Sequence, residues 1–295
     1  MVPITLQIVP MDHLAALFGH FTPSARAFFS GNLCNRFSFE NPDNQGYLHV
    51  LKAGRVRVLV PGHAPVELSE PSLVLLPRYL AHRFEPDPLL GADLVCATVE
   101  IGATQGNPIA LGLPGLVILP LARIATVGPT VDLLFAEAFA AEDGRQVALD
   151  RLFEYLVVQL IRHVIASGQI TGGVLATLRD PRLARAVTAM HEAPRRIWTL
   201  EDLADVAGMS RTGFARTFRH VAETTPMDYL TRWRMTLAQS LLREGKPIKA
   251  VASAVGYESP AALTRTFTKL VGLSPRHWTA ARQVKGVPDQ TAASS

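Results

Sequence analysis

The chain has 295 residues, of which 48% are hydrophobic and 18% charged, so it can form two domains with substantial cores and is not disordered throughout. No uncharged apolar run reaches the ~18 residues that a membrane helix requires, and the segment Met1–His20 lacks the pattern of a signal peptide. Two cysteines, Cys34 and Cys96, exclude a disulfide framework, so we expect a protein of the reducing cytoplasm without membrane association.

Residues 26–101 have the pattern of short β-strands. Apolar or alternating segments are separated by turn residues such as Ala53-Gly54 and Pro61-Gly62. The clearest predicted strands are Leu48–Lys52, Arg55–Val60, Val66–Leu68 and Leu73–Leu76. Several short strands at this spacing predict a sandwich or barrel. Residues 102–128 are rich in Gly and Pro and predict an irregular connection.

From Thr130 the apolar residues follow a helical period. One predicted helix has a common face formed by Val131, Leu134, Phe135, Ala138 and Phe139. A second predicted helix ends at about Ser167-Gly168 and carries the stripe Leu149, Leu152, Leu156 and Leu160. This stripe fits a partner helix in a homodimer, and it fits packing on the chain's own barrel equally well.

The basic charge is concentrated in the last third of the chain. Residues 1–179 have a net charge of −3, whereas residues 180–285 have a net charge of +8. This asymmetry favours a polyanion-binding module joined to a second domain, and the alternative is a basic face that is only solvated. Residues 286–295 are small and polar and are expected to form a flexible tail.

The basic segment contains an internal repeat. The two copies are 48 residues apart up to a shared glycine and 49 residues apart after it. The matched positions of the first copy are Leu203-Ala204, Gly208, Ser210, Phe214, Arg216, Phe218 and Pro226. In the second copy they are Val251-Ala252, Gly256, Ser259, Leu263, Arg265, Phe267 and Pro275. A short helix, a glycine-containing turn and a serine-capped second helix form a helix-turn-helix. Two antiparallel helical hairpins without a ligand are the alternative interpretation.

In each copy, apolar residues four positions apart should hold the second helix against the core. The opposite faces carry the residues that we predict to contact DNA: Arg211, Thr212, Ala215, Arg216 and Arg219 in the first copy, and Pro260, Ala261, Ala262, Arg265 and Lys269 in the second. We expect Arg216 and Arg265 to contact bases, and Arg211, Arg219 and Lys269 to meet phosphates.

The stretch from Asp180 to Arg282 resembles the DNA-binding domain of AraC/XylS-type transcription regulators. The resemblance is carried by Trp198-Thr-Leu-Glu-Asp-Leu-Ala, Met209-Ser-Arg-Thr-Gly-Phe-Ala-Arg-Thr-Phe, Pro226-Met-Asp-Tyr-Leu, Val255-Gly-Tyr-Glu-Ser and Gly272-Leu-Ser-Pro. It implies a linker helix at about Met227 to Arg243 that holds two recognition helices in successive major grooves, ~34 Å apart. The chain departs from the family at Glu223, where a glycine usually follows the first recognition helix, so we expect a strained or differently capped helix end.

The front strands resemble the cupin-type sensor domain of many such regulators. The resemblance is carried by Tyr47-Leu-His-Val-Leu, Gly54-Arg-Val-Arg-Val, Leu75 to His82 and Leu116 to Pro120. His82 matches the closing histidine of the second cupin motif. The first motif is reduced to His49 and has no matching Glu, which counts against the iron or manganese chemistry of cupin enzymes.

Four residues of this front domain form a candidate metal set: Cys34, His49, His82 and Cys96. Two thiolates and two imidazoles suit tetrahedral zinc and leave no position open for catalysis. The alternative is two small buried cysteines and two core histidines without metal.

We therefore predict an α+β chain of two domains, with a cupin-like sensor barrel at 1–128, a helical dimerisation or linker segment at 129–176, and a tandem helix-turn-helix domain at 177–285. The predicted function is a sequence-specific DNA-binding transcription regulator, not an enzyme, that responds to a small molecule or metal. Its expected partners are double-stranded promoter DNA, a second copy of itself and, for an activator, RNA polymerase. One alternative is a cupin oxygenase or isomerase with an attached helical domain, and another is a DNA-binding protein whose barrel is only structural.

Overall fold

The computed structural model describes residues 12–19, 22–40, 45–101, 108–170 and 172–283. The chain divides into two compact units. The barrel unit comprises Phe21–Gly102 and Ile109–Arg179, and the helical unit comprises Met1–His20, Ala103–Pro108 and Asp180–Ser295. This differs from the predicted division, because the described residues of the segment 129–176 belong to the barrel unit and residues 12–19 belong to the helical unit.

The barrel unit is built from antiparallel strands. Within the described residues they are β1 (Ser24–Leu33), β2 (Phe37–Phe39), β3 (Gly46–Gly54), β4 (Val56–Leu59), β5 (Val66–Leu68), β6 (Ser72–Leu76), β7 (His82–Pro86), β8 (Ala92–Glu100) and β9 (Val117–Pro120). They form a five-stranded sheet in the order β1-β8-β3-β6-β9 and a four-stranded sheet in the order β2-β7-β4-β5. Side chains from both sheets meet in one buried cluster that includes Phe39, Val58, Phe84, Leu51, Leu76 and Cys96. The predicted β domain, a sandwich or barrel of short strands, is confirmed.

The connection at 102–128 is more regular than its Gly and Pro content predicts. Among its described residues, Val117–Pro120 form β9, which pairs with β6 at the edge of the five-stranded sheet. Val117 and Leu119 are buried there. An apolar segment this short has no period of its own, so its pairing is decided by the neighbouring strand.

Helices complete the barrel unit: α2 (Pro108–Gly112), α3 (Gly128–Phe139), α4 (Arg145–Ala166) and α5 (Val174–Thr177). Helix α4 lies on β1 at a bulge between Ala27 and Phe29. The backbone N–H of Ala27 donates to Asp150 Oδ1 (2.8 Å), and Gln146 Nε2 donates to the Ala27 carbonyl (2.9 Å). Side chains of α4 therefore bind both backbone polar groups of Ala27.

The leucine stripe of α4 is used within the chain. Leu149, Leu156 and Leu160 are each no more than 2% exposed, and Leu152 is half-buried. The sequence left two roles open for this stripe, contact with a partner helix and packing within its own barrel unit. In the structure the stripe packs within the barrel unit. The helical period placed Phe139 on one face with Val131, Leu134, Phe135 and Ala138. Those four residues are buried, whereas Phe139, the last residue of α3, is 61% exposed.

The helical unit contains α1 (His13–Phe18), α6 (Pro181–Glu192), α7 (Leu200–Ala207), α8 (Arg211–Ala222), α9 (Pro226–Arg243), α10 (Ile248–Ala254), α11 (Pro260–Val271) and α12 (Pro275–Gln283). The two predicted helix-turn-helix pairs are α7/α8 and α10/α11, and the predicted linker helix is α9. Sequence analysis missed α1, which packs on α6 through the buried Leu17 and a 2.8 Å hydrogen bond between His13 Nδ1 and Thr188 Oγ1. Among the described residues, no helix is both long enough and apolar enough to cross a membrane.

The two recognition helices end differently. Helix α11 ends at Gly272, with φ 84°, whereas α8 ends at Glu223, with φ 58°. Glu223 is the one non-glycine residue with positive φ in the described part of the chain. A left-handed conformation brings the Cβ of an L-residue too close to the following carbonyl oxygen, so the strain predicted at this cap is present.

We expect Glu223→Gly to raise the free energy of unfolding of the helical unit by about 1 kcal/mol, because glycine removes that steric cost. In the other copy, Gly272→Ala should lower it by a similar amount, since a Cβ there meets no atom within 4 Å and only the backbone conformation is penalised. Urea unfolding followed by tryptophan fluorescence measures both, because Trp198, Trp233 and Trp278 all lie in this unit.

Glu258→Gly is the matched control, since Glu258 is an exposed turn residue of the second copy without positive φ. It should not stabilise the unit. Equal effects of Glu223→Gly and Glu258→Gly would contradict the strain at the cap of α8.

Candidate nucleic-acid interface

The first recognition helix, α8, is capped at its start and buried on one face. Ser210 precedes it in an extended conformation, and its Oγ accepts a hydrogen bond from Gly213 N at 3.2 Å. Phe214 and Phe218 lie one turn apart and are fully buried. The turn before the helix passes through Gly208 at φ 66°, a conformation that glycine adopts without strain.

The second recognition helix, α11, repeats this construction. Ser259 Oγ accepts a hydrogen bond from Ala262 N at 3.2 Å, and Leu263 and Phe267 are fully buried. The preceding turn passes through Gly256 at φ 79°. The capping and the buried faces that the repeat predicts are therefore present in both copies.

The predicted DNA-contacting residues lie on the opposite faces of these helices. Arg211, Thr212, Arg216 and Arg219 of α8 are exposed, as are Ala261, Arg265 and Lys269 of α11, whereas Ala215, Pro260 and Ala262 are half-buried. Within the described residues, none of the four arginines or Lys269 forms an ion pair with a carboxylate. The positive charge of both faces is therefore available to an external anion.

A concave surface of about 530 Å³ extends the face of α8 toward the start of α9. All five predicted residues of α8 line it, together with Leu200, Thr225, Pro226 and Met227. Thr225 caps α9 by accepting a hydrogen bond from Asp228 N at 3.1 Å. Sequence analysis did not assign Thr225, Pro226 or Met227 to the interface. The sequence pattern that marks these positions is the pair Thr225-Pro226, which is typical of the start of a helix.

The predicted four-residue zinc set is not assembled. Cys34 is exposed, and its Sγ lies 2.9 Å from Asn32 Oδ1. Cys96 lies directly across from His49 in the pairing of β3 with β8, and burial raises the pKa of its thiol, which disfavours the thiolate that binds metal. Among the described residues, no three His, Cys, Asp or Glu side chains are close enough to hold a metal ion. The prediction fails because the cysteines lie in different environments, one at the surface and one in the core.

Two members of that set do meet inside the barrel. His49 Nε2 and His82 Nε2 are 2.8 Å apart, although the residues are separated by 33 positions in the chain. His82 Nδ1 lies 2.9 Å from the Leu80 carbonyl, so it carries the proton and leaves Nε2 of His82 to accept from His49. His49 Nδ1 then has no hydrogen-bond partner within the described residues.

Both imidazoles are held in the neutral form. Burial lowers the pKa of His82 to about 4. Burial, followed by the neighbouring His82, lowers the pKa of His49 well below its usual value. Phe39 stacks on His82, with ring centroids 4.8 Å apart, and completes an apolar environment that disfavours a charged ring.

Comparison with known proteins places both units in described families. A family model described as Cupin matches residues 12–166, and one described as Helix-turn-helix domain matches residues 203–281. An AraC-like transcription regulator of Streptomyces lividans is 32% identical over 238 residues, which cover 72% of this chain and 78% of the relative. The chain belongs to the AraC-like transcription regulators.

Two further relatives match more than three quarters of this chain. An HTH-type transcriptional regulator of Haemophilus influenzae is 33% identical over 291 residues, covering 91% of this chain and 96% of the relative. The RCS-specific HTH-type transcriptional activator RclR of Escherichia coli is 28% identical over 232 residues, covering 77% and 81%. These relatives are regulators, so the alternative of a cupin oxygenase or isomerase is set aside. The Cupin match includes α3 and α4, which lie in the barrel unit, and it also includes α1, which lies in the helical unit.

We expect the stability of the barrel unit to fall as the pH drops from 7 to 5. In the unfolded chain a histidine titrates near 6.5, whereas His82 in the folded barrel titrates at about 4 and His49 also below its usual value, so in this window only the unfolded state binds the protons. This contribution is complete above pH 6.5 and is lost progressively toward pH 4. Urea unfolding followed by far-ultraviolet circular dichroism at both pH values measures it.

The double variant His49→Leu/His82→Phe removes both groups and should flatten the pH dependence. His63→Gln is the control, because His63 is exposed in the turn after β4 and should leave the dependence unchanged. A double variant with the same pH dependence as the natural chain would refute the assignment.

Proposed function

We propose that this regulator binds a two-part promoter site by placing α8 and α11 in successive major grooves. The proposal is carried by one observation, the repetition of a serine-capped helix whose buried face is apolar and whose outer face presents unpaired cations. Both copies lie in the segment with a net charge of +8. An α-helix fits the major groove, and the half-sites of such a pair are about one helical turn apart.

On each of the two faces, we propose that one arginine contacts bases, and these two arginines occupy equivalent positions in the repeat. Arg216 and Arg265 each precede a buried phenylalanine by two residues, which turns them ~200° away from the core on a helix of 3.6 residues per turn. A guanidinium in the groove can bond guanine O6 and N7 together. Arg211, Arg219 and Lys269 flank these positions and are proposed to meet phosphates.

The recognition helices are proposed to differ in how they read bases. The first turn of α11 is Pro260-Ala261-Ala262, whose side chains offer methyl contacts to thymine and no hydrogen bonds. The first turn of α8 contains Arg211 and Thr212, which can donate. We therefore infer that hydrogen-bonded readout in the second half-site depends chiefly on Arg265.

The barrel unit is proposed to sense a small molecule or a metal in the cytoplasm. Its cupin-type sheets and its buried pair of neutral imidazoles support a sensing role, and the competing proposal is a barrel that is only structural. A thermal-shift screen of metals and small molecules separates them, because a ligand that binds the folded barrel raises its melting temperature. Homodimerisation and contact with RNA polymerase remain predictions. The leucine stripe of α4 no longer supports the dimer.

We expect Arg265→Ala to weaken binding to the operator by about 1–3 kcal/mol and to relax the preference at one base pair, because a bidentate base contact is lost. Lys269→Ala is the matched control, one turn further along the same exposed face. It should weaken operator and scrambled DNA alike and reduce the salt slope by about 1.

The measurement is quantitative binding to both duplexes across a salt series, after the operator has been located by footprinting on the gene's own promoter region. Equal losses on operator and scrambled DNA for Arg265→Ala would contradict base readout by this residue. Absence of any footprint would contradict the promoter-binding proposal itself.

A further inference from the structure

The linker helix α9 carries an arginine that binds the backbone of a different segment. Arg234 donates from Nε to the Pro194 carbonyl at 2.9 Å and from Nη2 to the Arg196 carbonyl at 2.8 Å. These carbonyls lie in the loop between α6 and α7, at the base of the first helix-turn-helix. The planar guanidinium therefore fixes the direction in which α9 leaves the first motif.

The turn of the second helix-turn-helix packs against the same loop. Gly256 has φ 79°, and a Cβ at this position would lie 2.9 Å from the Pro194 carbonyl oxygen and 3.0 Å from Arg195 Cα. No side chain other than hydrogen fits between the two backbones. The Pro194 carbonyl oxygen therefore accepts a hydrogen bond from Arg234 and also lies in close contact with the turn of the second motif.

The next residue of that turn completes the junction. The ring of Tyr257 lies 6.0 Å from Arg234 Cζ, within the range of a cation–π contact. Arg234 is half-buried, so its side chain is held between the loop of the first motif and the turn of the second. One side chain consequently touches both motifs and belongs to the helix that joins them.

We propose that Arg234 is a positioning residue that fixes the separation and rotational phase of α8 and α11, and so determines which spacing of DNA half-sites the chain accepts. This inference rests on the proposed binding of two half-sites. Helices α10, α11 and α12 pack on α9, which ties the second motif to the linker helix. The two carbonyl bonds and the Gly256 contact tie the linker helix and the second motif to the loop of the first motif. Arg234 itself need not touch DNA.

Arginine is required here for its shape. A lysine keeps the charge and the length but has a single nitrogen, which cannot reproduce two parallel bonds to carbonyls two residues apart. Arg234→Lys is therefore the informative variant, because it loosens the junction with little change in net charge. Gly256→Ala loosens the same junction from the other side without altering any cation.

The experiment uses the full chain and duplexes that the natural chain selects from a random pool. Each selected duplex is compared with one that has a single base pair inserted between its half-sites, which shifts the second half-site by about 3.4 Å and turns it by about 34°. The natural chain should lose about tenfold or more in affinity on insertion, because the contacts of one half-site are misplaced. Arg234→Lys and Gly256→Ala should each reduce that loss to about threefold or less.

Arg232→Lys is the matched control on the same helix, since Arg232 is exposed. It should keep the full discrimination between the two spacings. A purely structural role of Arg234 would lower affinity for both duplexes and leave their ratio unchanged, so an unchanged ratio in both variants overturns the proposal. Failure of the natural chain to select any two-part site would instead overturn the proposed function.

Discussion

Burial of two apolar side chains on each recognition helix is the constraint from which the rest of the interface follows. Phe214 and Phe218, like Leu263 and Phe267, are fully removed from solvent. Each such side chain contributes roughly 1.5–3 kcal/mol when buried, so rotating either helix about its axis would sacrifice several kcal/mol. The outward direction of Arg216 and Arg265 is therefore a consequence of core packing, and no contact of the arginines themselves is needed to maintain it. The junction at Arg234 then adds what core packing within each motif does not provide, a fixed relation between the two motifs.

The helical unit could be predicted almost completely, because its signals are local. The repeat, the serine caps and the four-residue spacing of apolar side chains are all readable within a few residues, and the structure has α7/α8 and α10/α11 at the expected places. Helix α1 was missed because a helix of 6 residues carries too little periodicity, and its partner lies far along the chain. Glu223 shows the opposite case, in which a single departure from a pattern correctly identified a strained backbone.

The barrel was predicted as a fold but not as an arrangement of side chains. Strand pairing decides which residues from distant segments meet, and it brought His49 to His82 and Cys96 while leaving Cys34 at the surface. Cysteine and histidine both suit zinc, so composition could not separate a ligand set from a core that merely contains them. The stripe of α4 illustrates the same limit, since a leucine face predicts burial without naming the surface that buries it.

Helix α1 gives the folding of the helical unit an unusual order in time. His13 and Thr188, which are hydrogen-bonded in the folded unit, are 175 residues apart in the chain. During synthesis, at roughly 5–20 residues per second, the barrel strands emerge and can pair before α6, the partner of α1, has been translated. The helical unit is thus completed around an inserted domain, and a fragment that begins at Asp180 lacks the helix that covers part of α6. An isolated DNA-binding fragment should accordingly be designed with residues 12–19 supplied, because translation from residue 180 alone produces a unit without its first helix.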